Sequence, residues 1–162
     1  MLEKMKMIWQ DAKQLKDERG LTLVELLVVV VILGIIAAIA VVAIGGIIEN
    51  SKKDAMVADA KQMVSAAKLY TASNPVTAAK TMRFSGTVAG TEADGTEYVA
   101  GLKDPFGTSY DTALVTITPD GNQYKYAVQL IGDKAIGQSG PLAEGSINKD
   151  AVKDKQAVTP NP

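Results

Sequence analysis

The sequence predicts an α+β fold: a long N-terminal α-helix, transmembrane in one half and amphipathic in the other, packed on a small antiparallel β-sheet head. Three observations predict it. Leu26 to Ile48 is a run of 23 residues without a charge. From Met56 to Tyr70, apolar residues recur at helical spacing, and from Thr112 to Ile131 side chains alternate with period two around a turn.

The first 20 residues carry Lys4, Lys6, Lys13, Lys16 and Arg19 among Glu3, Asp11, Asp17 and Glu18. Their positive charge favours a cytoplasmic N-terminus, although Lys52, Lys53 and Lys61 on the far side of the apolar run make the bias modest. Met5 to Lys16 suits an amphipathic helix with Met7, Ile8 and Trp9 at the membrane surface.

The uncharged run is dominated by valine and isoleucine, and as a helix it reaches about 35 Å, enough to span a bilayer core. Ala38-Ile39-Ala40 has the form of a secretory cleavage site. A secretory apolar region spans only about 7–15 residues, however, and this one continues well past the alanines. At its leading edge sits Glu25. An ionised side chain there costs a few kcal/mol on insertion scales, so it needs a partner or a task. A chain beginning at Leu21 would place a free amine within one helical turn of that carboxylate. Each charge is expensive alone in hydrocarbon, and pairing between staggered helices would offset the cost and fix axial register.

Glu18-Arg19-Gly20-Leu21, then Glu25, then the apolar helix, resembles the class III signal of type IV pilins and pseudopilins. That resemblance implies a prepilin peptidase cutting between Gly20 and Leu21 and N-methylating Leu21, with Glu25 pairing with the N-terminal amine of a neighbouring subunit. It departs from the family at Leu21, where phenylalanine or methionine is more usual. It further implies a single-pass precursor in the cytoplasmic membrane and a helical homopolymer of the chain itself on the bacterial surface. An assembly ATPase and a platform membrane protein are the implied partners. On this reading 1–20 is the prepilin leader, and 21–48 the transmembrane and filament-core half of the helix. Residues 49–74 are its amphipathic half, 75–136 the head and 137–162 a C-terminal tail.

Beyond the membrane run, Met56, Ala60, Met63, Ala67 and Tyr70 form one apolar stripe that Val57 and Val64 widen. Ser73-Asn74-Pro75 ends the pattern, because proline disfavours helix in the residue before it. The predicted helix, Thr22 to Ala72, is about 75 Å long. Gly34, Gly45 and Gly46 interrupt it, each costing about 1 kcal/mol against alanine in a soluble helix. In related filaments a stretch of this helix loses order on assembly, and a glycine at the position of Gly34 is familiar there. The proline often found eight residues later is replaced by Val42. Close helix packing in membranes is an equally good reason for such glycines.

Residues 75–110 read as loops with one short strand, the apolar fragments lying around Met82-Arg83-Phe84 and Tyr98-Val99-Ala100. Asp104-Pro105-Phe106-Gly107 is a turn signal that also resembles a motif of major secretion pseudopilins, with Tyr110 following at a suitable distance. A hairpin follows, Thr112–Thr118 with Gln123–Ile131, joined by turn chemistry at Pro119-Asp120-Gly121-Asn122. Two strands alone are marginal in water, and the helical stripe is their expected cover. From Gly137 the chain is polar without sustained period, except for one helical turn expected within Ile147 to Val152 and a flexible end.

The chain contains no histidine and no cysteine, which excludes imidazole catalysis, thiol catalysis, disulfides and zinc–thiolate sites. No phosphate-binding glycine motif is present, and no cofactor or enzyme activity is expected. Asp104, Asp111 and Asp120 lie near predicted turns, where calcium ligation competes with simple capping, and no metal is assigned. Residues after 20 carry 12 bases and 14 acids, so composition offers DNA no support as a partner. Two function classes follow. One is a filament subunit, as a pilin or as a pseudopilin of a secretion or DNA-uptake machine. The other is a membrane-anchored extracellular binding module that never polymerises. The task of such a filament, whether motility, adhesion, DNA uptake or secretion, is not written in the sequence.

Overall fold

A computed structural model describes residues 1–13 and 22–156, and the chain divides into two units, Met1–Ile47 and Ile48–Pro162. One helix, α1 (Leu2–Ser73), runs through the first and into the second. It stops where expected: Asn74 turns back, its backbone N–H and side-chain amide both donating to the Tyr70 carbonyl at 2.8 and 3.1 Å, and Pro75 cannot continue the ladder.

The first unit consists of α1 alone. Large apolar side chains from Leu23 to Ile47 are all exposed, between 47% at Val28 and 79% at Val42. The helix from Thr22 contains an 18-residue window of mean hydropathy 3.5, none of it buried, and is long and apolar enough to cross a membrane. A helix greasy all round requires lipid or other helices around it.

In the second unit the predicted stripe is the covered face. Met56, Ala60, Met63 and Ala67 are fully buried, Val57 and Val64 nearly so. Tyr70 is only half-buried, packing edge-on against Tyr98 with the Lys80 ammonium over its ring. Fully burying each larger apolar side chain contributes about 1.5–3 kcal/mol, which makes this stripe the main attachment of helix to sheet.

The sheet comprises β1 (Lys80–Arg83), β2 (Ala93–Asp94), β3 (Thr112–Asp120), β4 (Gln123–Ile131), β5 (Lys134–Ile136), β6 (Leu142–Ala143) and β7 (Lys153–Asp154). Its order is β2-β1-β3-β4-β5-β7, with β6 also pairing β4. Every pairing is antiparallel except β1 with β2. Ala113, Val115, Ile117, Val128 and Leu130 point from the central hairpin into the same core as the helical stripe, together with Met82 and Ile136. Tyr126 adds a polar link, its hydroxyl 2.7 Å from Thr71 Oγ1.

The hairpin is longer than the sequence suggests, since Pro119 pairs with Tyr124 and Asp120 with Gln123. The turn tightens to Gly121-Asn122, with Gly121 at φ 62° supplying the positive torsion a two-residue loop needs. Pro119 is tolerated because its pair with Tyr124 is one position outside the hydrogen-bonded pair flanking the loop. Strand β1 has already ended opposite Ile117, so no ladder misses the proline N–H.

Beyond residue 136, where no period is visible, the chain still joins the fold. Strand β6, two 3-10 turns (Glu144–Ser146 and Lys149–Ala151) and β7 follow one another. Ile147 and Val152 are buried in the core on either side of the second turn. That turn matches the one expected within Ile147 to Val152, and the Asn148 side chain caps it by accepting the Ala151 N–H. The terminal segment 157–162, expected to be flexible, lies outside the described residues.

Candidate functional site

The first candidate region is the start of the apolar helix. The expected cleavage junction, Gly20 and Leu21, lies outside the described residues. Glu25 follows on α1, exposed, at the edge of a run with no other charge before Glu49. It makes no ion pair among the described residues. Gly34, Gly45 and Gly46 are all helical, and a Cβ added at any of them would meet nothing within 4 Å. Nothing inside the chain therefore requires glycine there.

The second region surrounds Asp104, which is buried at 3% exposure. One carboxylate oxygen accepts the Phe106 N–H at 2.9 Å and the other the Asp133 N–H at 2.7 Å, tying the turn after Asp104 to the β4–β5 connection. The carboxylate fits because two neighbours have no side chain. A Cβ on Gly132 would collide with Asp104 Oδ2, and one on Gly107 would lie 3.2 Å from the same oxygen and 2.9 Å from Asp133 Oδ2. The ammonium groups of Lys52 and Lys134 lie 5.6 and 5.3 Å from the centroid of the Phe106 ring.

Tyr110, at the end of this loop, is buried and donates its hydroxyl proton to Asp59 of α1 at 2.7 Å. Burial pushes the Asp59 carboxyl above its usual range, partly opposed by the tyrosine hydrogen bond. Burial, then the hydrogen bond to Asp59, push the Tyr110 phenol far above its ordinary value. The pair latches the loop to the helix.

Sequence reasoning sets Asp59 with the charges mostly outside the stripe and gives it no role, although it lies three residues after Met56 and four before Met63, on the stripe's own border. The three acids weighed for calcium do not converge. Asp104 serves backbone amides, Asp111 pairs with Lys155, and Asp120 pairs with Lys125. Among the described residues, no group of three or more His, Cys, Asp or Glu side chains is placed to hold a metal ion.

Compared with known protein families, residues 15–41 match the family model of the prokaryotic N-terminal methylation motif. The match spans Gly20, Leu21, Glu25 and Gly34 and ends before Gly45. The chain thus carries the class III signal of type IV pilins at the head of a long apolar helix. No curated protein and no solved structure matches the chain.

Proposed function

We propose that this chain, a prepilin-like protein by its methylation motif, is the structural subunit of a type IV pilus-like filament. It is cut between Gly20 and Leu21, methylated at the Leu21 amine and polymerised through its N-terminal helix. The observation that carries this reading is Glu25, the single charge between Thr22 and Ile48, with no ion-pair partner among the described residues. A carboxylate so placed is neutralised most economically by the cationic amine of another subunit, and that pairing sets the axial step of a filament. The peptidase, the assembly ATPase, the platform protein and the membrane before assembly are the partners such a route needs. The segments keep their proposed roles: 1–20 the leader, 21–48 the filament core, 49–74 the covered half-helix, and the remainder the head with its tail. Gly34, Gly45 and Gly46 are the proposed positions where the helix loses order on assembly.

The test compares precursor, mature chain and filament. Mass spectrometry should find a mature N-terminus at a methylated Leu21. Glu25→Ala should insert and be processed normally, because losing a charge eases insertion, yet yield no sheared surface fibres. Glu25→Gln should be nearly as poor. Abundant fibres from cells carrying only Glu25→Ala would refute the charge-pairing account, and indifference to both changes is what a tethered binding module predicts.

The Asp104–Gly107 turn with Tyr110 behind it favours a second reading, a pseudopilin of a secretion or DNA-uptake machine. The same strain separates the two: a pseudopilin's loss blocks export or uptake without removing long surface fibres.

A further inference from the structure

We infer that the head carries a binding groove for an acidic saccharide, a sugar unit bearing a carboxylate, between the end of α1 and the outer edge of β1. Every residue involved lies in the second unit, so the inference does not rest on the filament reading. The groove measures about 630 Å³, within the range of small-molecule sites, and follows the loop from Pro75 to Ala79. Tyr70 and Lys80 line one side, Thr91 and Glu92 the other. It exists because two strands part. Pairing of β1 with β2 begins only at Met82 with Ala93, so Lys80 and Thr81 run on without a neighbouring strand on that side.

Both walls are pinned by contacts outside the sheet ladder. Val76 donates its N–H to the Tyr124 hydroxyl at 3.1 Å, which ties the loop after α1 to the central hairpin. Opposite, Arg83 holds Glu92 through two hydrogen bonds of 2.6 and 2.8 Å, and Glu92 also accepts the Ala89 N–H at 3.0 Å. A groove fixed from both sides loses little conformational freedom when a ligand enters.

The polar groups along it are sorted by kind. At one end the Lys80 ammonium lies 5.6 Å from the centre of the Tyr70 ring and meets no carboxylate among the described residues. The pleat turns the Thr81 N–H to the same side as the Arg83 carbonyl, which accepts the Gly95 N–H, and so presents a second donor beyond the β1–β2 ladder. At the other end stand the Glu92 carboxylate, an acceptor, and the Thr91 hydroxyl, which has no partner among the described residues. Asp94 and Glu97 follow on that loop but do not line the groove, and Asp94 is engaged by Thr96.

A ligand that satisfies both ends turns an anion toward Lys80 and hydroxyl donors toward Glu92. A phosphate would bring more negative charge against the Glu92 carboxylate than Lys80 balances. An ammonium group gains little at Glu92, whose charge Arg83 already balances. A sugar acid carries the carboxylate and the hydroxyls on one ring.

Isothermal titration of the full chain in detergent tests this with trimers of galacturonate, glucuronate and mannuronate. Each is run beside its neutral counterpart, in which the carboxylates are reduced to alcohols. At least one uronate trimer should bind, and its neutral counterpart about tenfold more weakly, as loss of a charge-assisted hydrogen bond requires. Lys80→Gln should bring the uronate down to the level of the neutral sugar, while Lys80→Arg, which keeps the charge, should retain the preference. Thr91→Val should weaken both sugars several-fold with thermal melting unchanged. Tripolyphosphate, rich in charge but without hydroxyl donors for Glu92, should bind less well than the uronate. The inference is overturned if no uronate trimer binds at millimolar concentration, or if acidic and neutral trimers bind alike. Tripolyphosphate binding as well as the uronate, or Lys80→Gln binding like the parent, overturns it equally.

Discussion

The two halves of α1 are built from similar apolar side chains and meet opposite fates. From Leu23 to Ile47 no large apolar side chain is buried, whereas from Met56 to Ala67 the stripe is. The difference is in what surrounds the stripe. In the outer half Lys52, Lys53, Asp54, Lys61 and Lys68 restrict the apolar surface to one face, and one sheet suffices to cover it. In the inner half apolar residues occupy every direction, so no single surface within the chain could satisfy them. One half encodes an internal partner and the other an external one.

The sharpest way to break this comparison is to place a charge on the covered face. Met63→Asp should cost about 4 kcal/mol or more, since a buried carboxylate finds no partner there. The near-ultraviolet dichroism of the detergent-solubilised chain should collapse at room temperature. A preserved signal would mean the stripe is not what holds helix to sheet.

A smaller effect is expected at the latch between loop and helix. Tyr110→Phe removes the donor from a half-buried Asp59 and should cost about 1–3 kcal/mol. Thermal melting should drop by several degrees, and Asp59→Asn in the same background should recover part of the loss. If Tyr110→Phe melts like the parent, the hydroxyl contributes nothing to the attachment.

Acid should act through a different pair. The Arg83 guanidinium, aided by the Ala89 N–H, holds the Glu92 carboxyl at about 2 against an ordinary 4.5. A depressed folded value means stability that is complete above 4.5 and is lost as pH falls toward 2. Asp59 has the opposite sign: its raised folded value means that protonation favours the folded state. Melting between pH 4.5 and 2 should therefore be less acid-sensitive in Glu92→Gln, and an unchanged slope would remove this pair from the account.

The smallest effect belongs to the inner half. Gly34→Ala meets no atom within 4 Å and should leave melting of the head unchanged, while favouring the helix by about 1 kcal/mol. A shifted head transition would show that the two regions are coupled through the helix.

These contrasts also mark what was legible in the sequence. Helix, stripe and hairpin were readable because each extends over many residues with one period, as at Met56–Ala67 and Thr112–Thr118. Strand β1 showed only as the apolar fragment around Met82. Strands β5 to β7, two or three residues each, are too short for alternation to register; β5 and β6 depend on β4 of the finished hairpin for their edge, and β7 in turn on β5. Asp104 was legible as a turn residue but not as a buried one. Its burial depends on space left by Gly107 and Gly132, and Gly132 is 28 residues away in the chain. At the start of the apolar helix the reverse held: Gly20, Leu21 and Glu25 stood out as a local pattern, and a local pattern is what the methylation motif is.

The C-terminal segment has a mechanical consequence. Without cysteine it has no covalent staple, and β7 meets β5 through only two residue pairs. Lys134–Asp154, Lys149–Asp54 and Lys68–Glu144 link this part of the head by ion pairs, two of them to α1, and salt screens such exposed pairs readily. Ile147 and Val152 are anchored by apolar contacts that salt does not screen. Tension applied beyond Gln156 would first break its two hydrogen bonds with Gln138 and the Lys155–Asp111 ion pair, then part β7 from β5, pair by pair, and then stall at Val152. The head's outermost layer thus yields in steps and re-forms when the load is released, in oxidising and reducing surroundings alike.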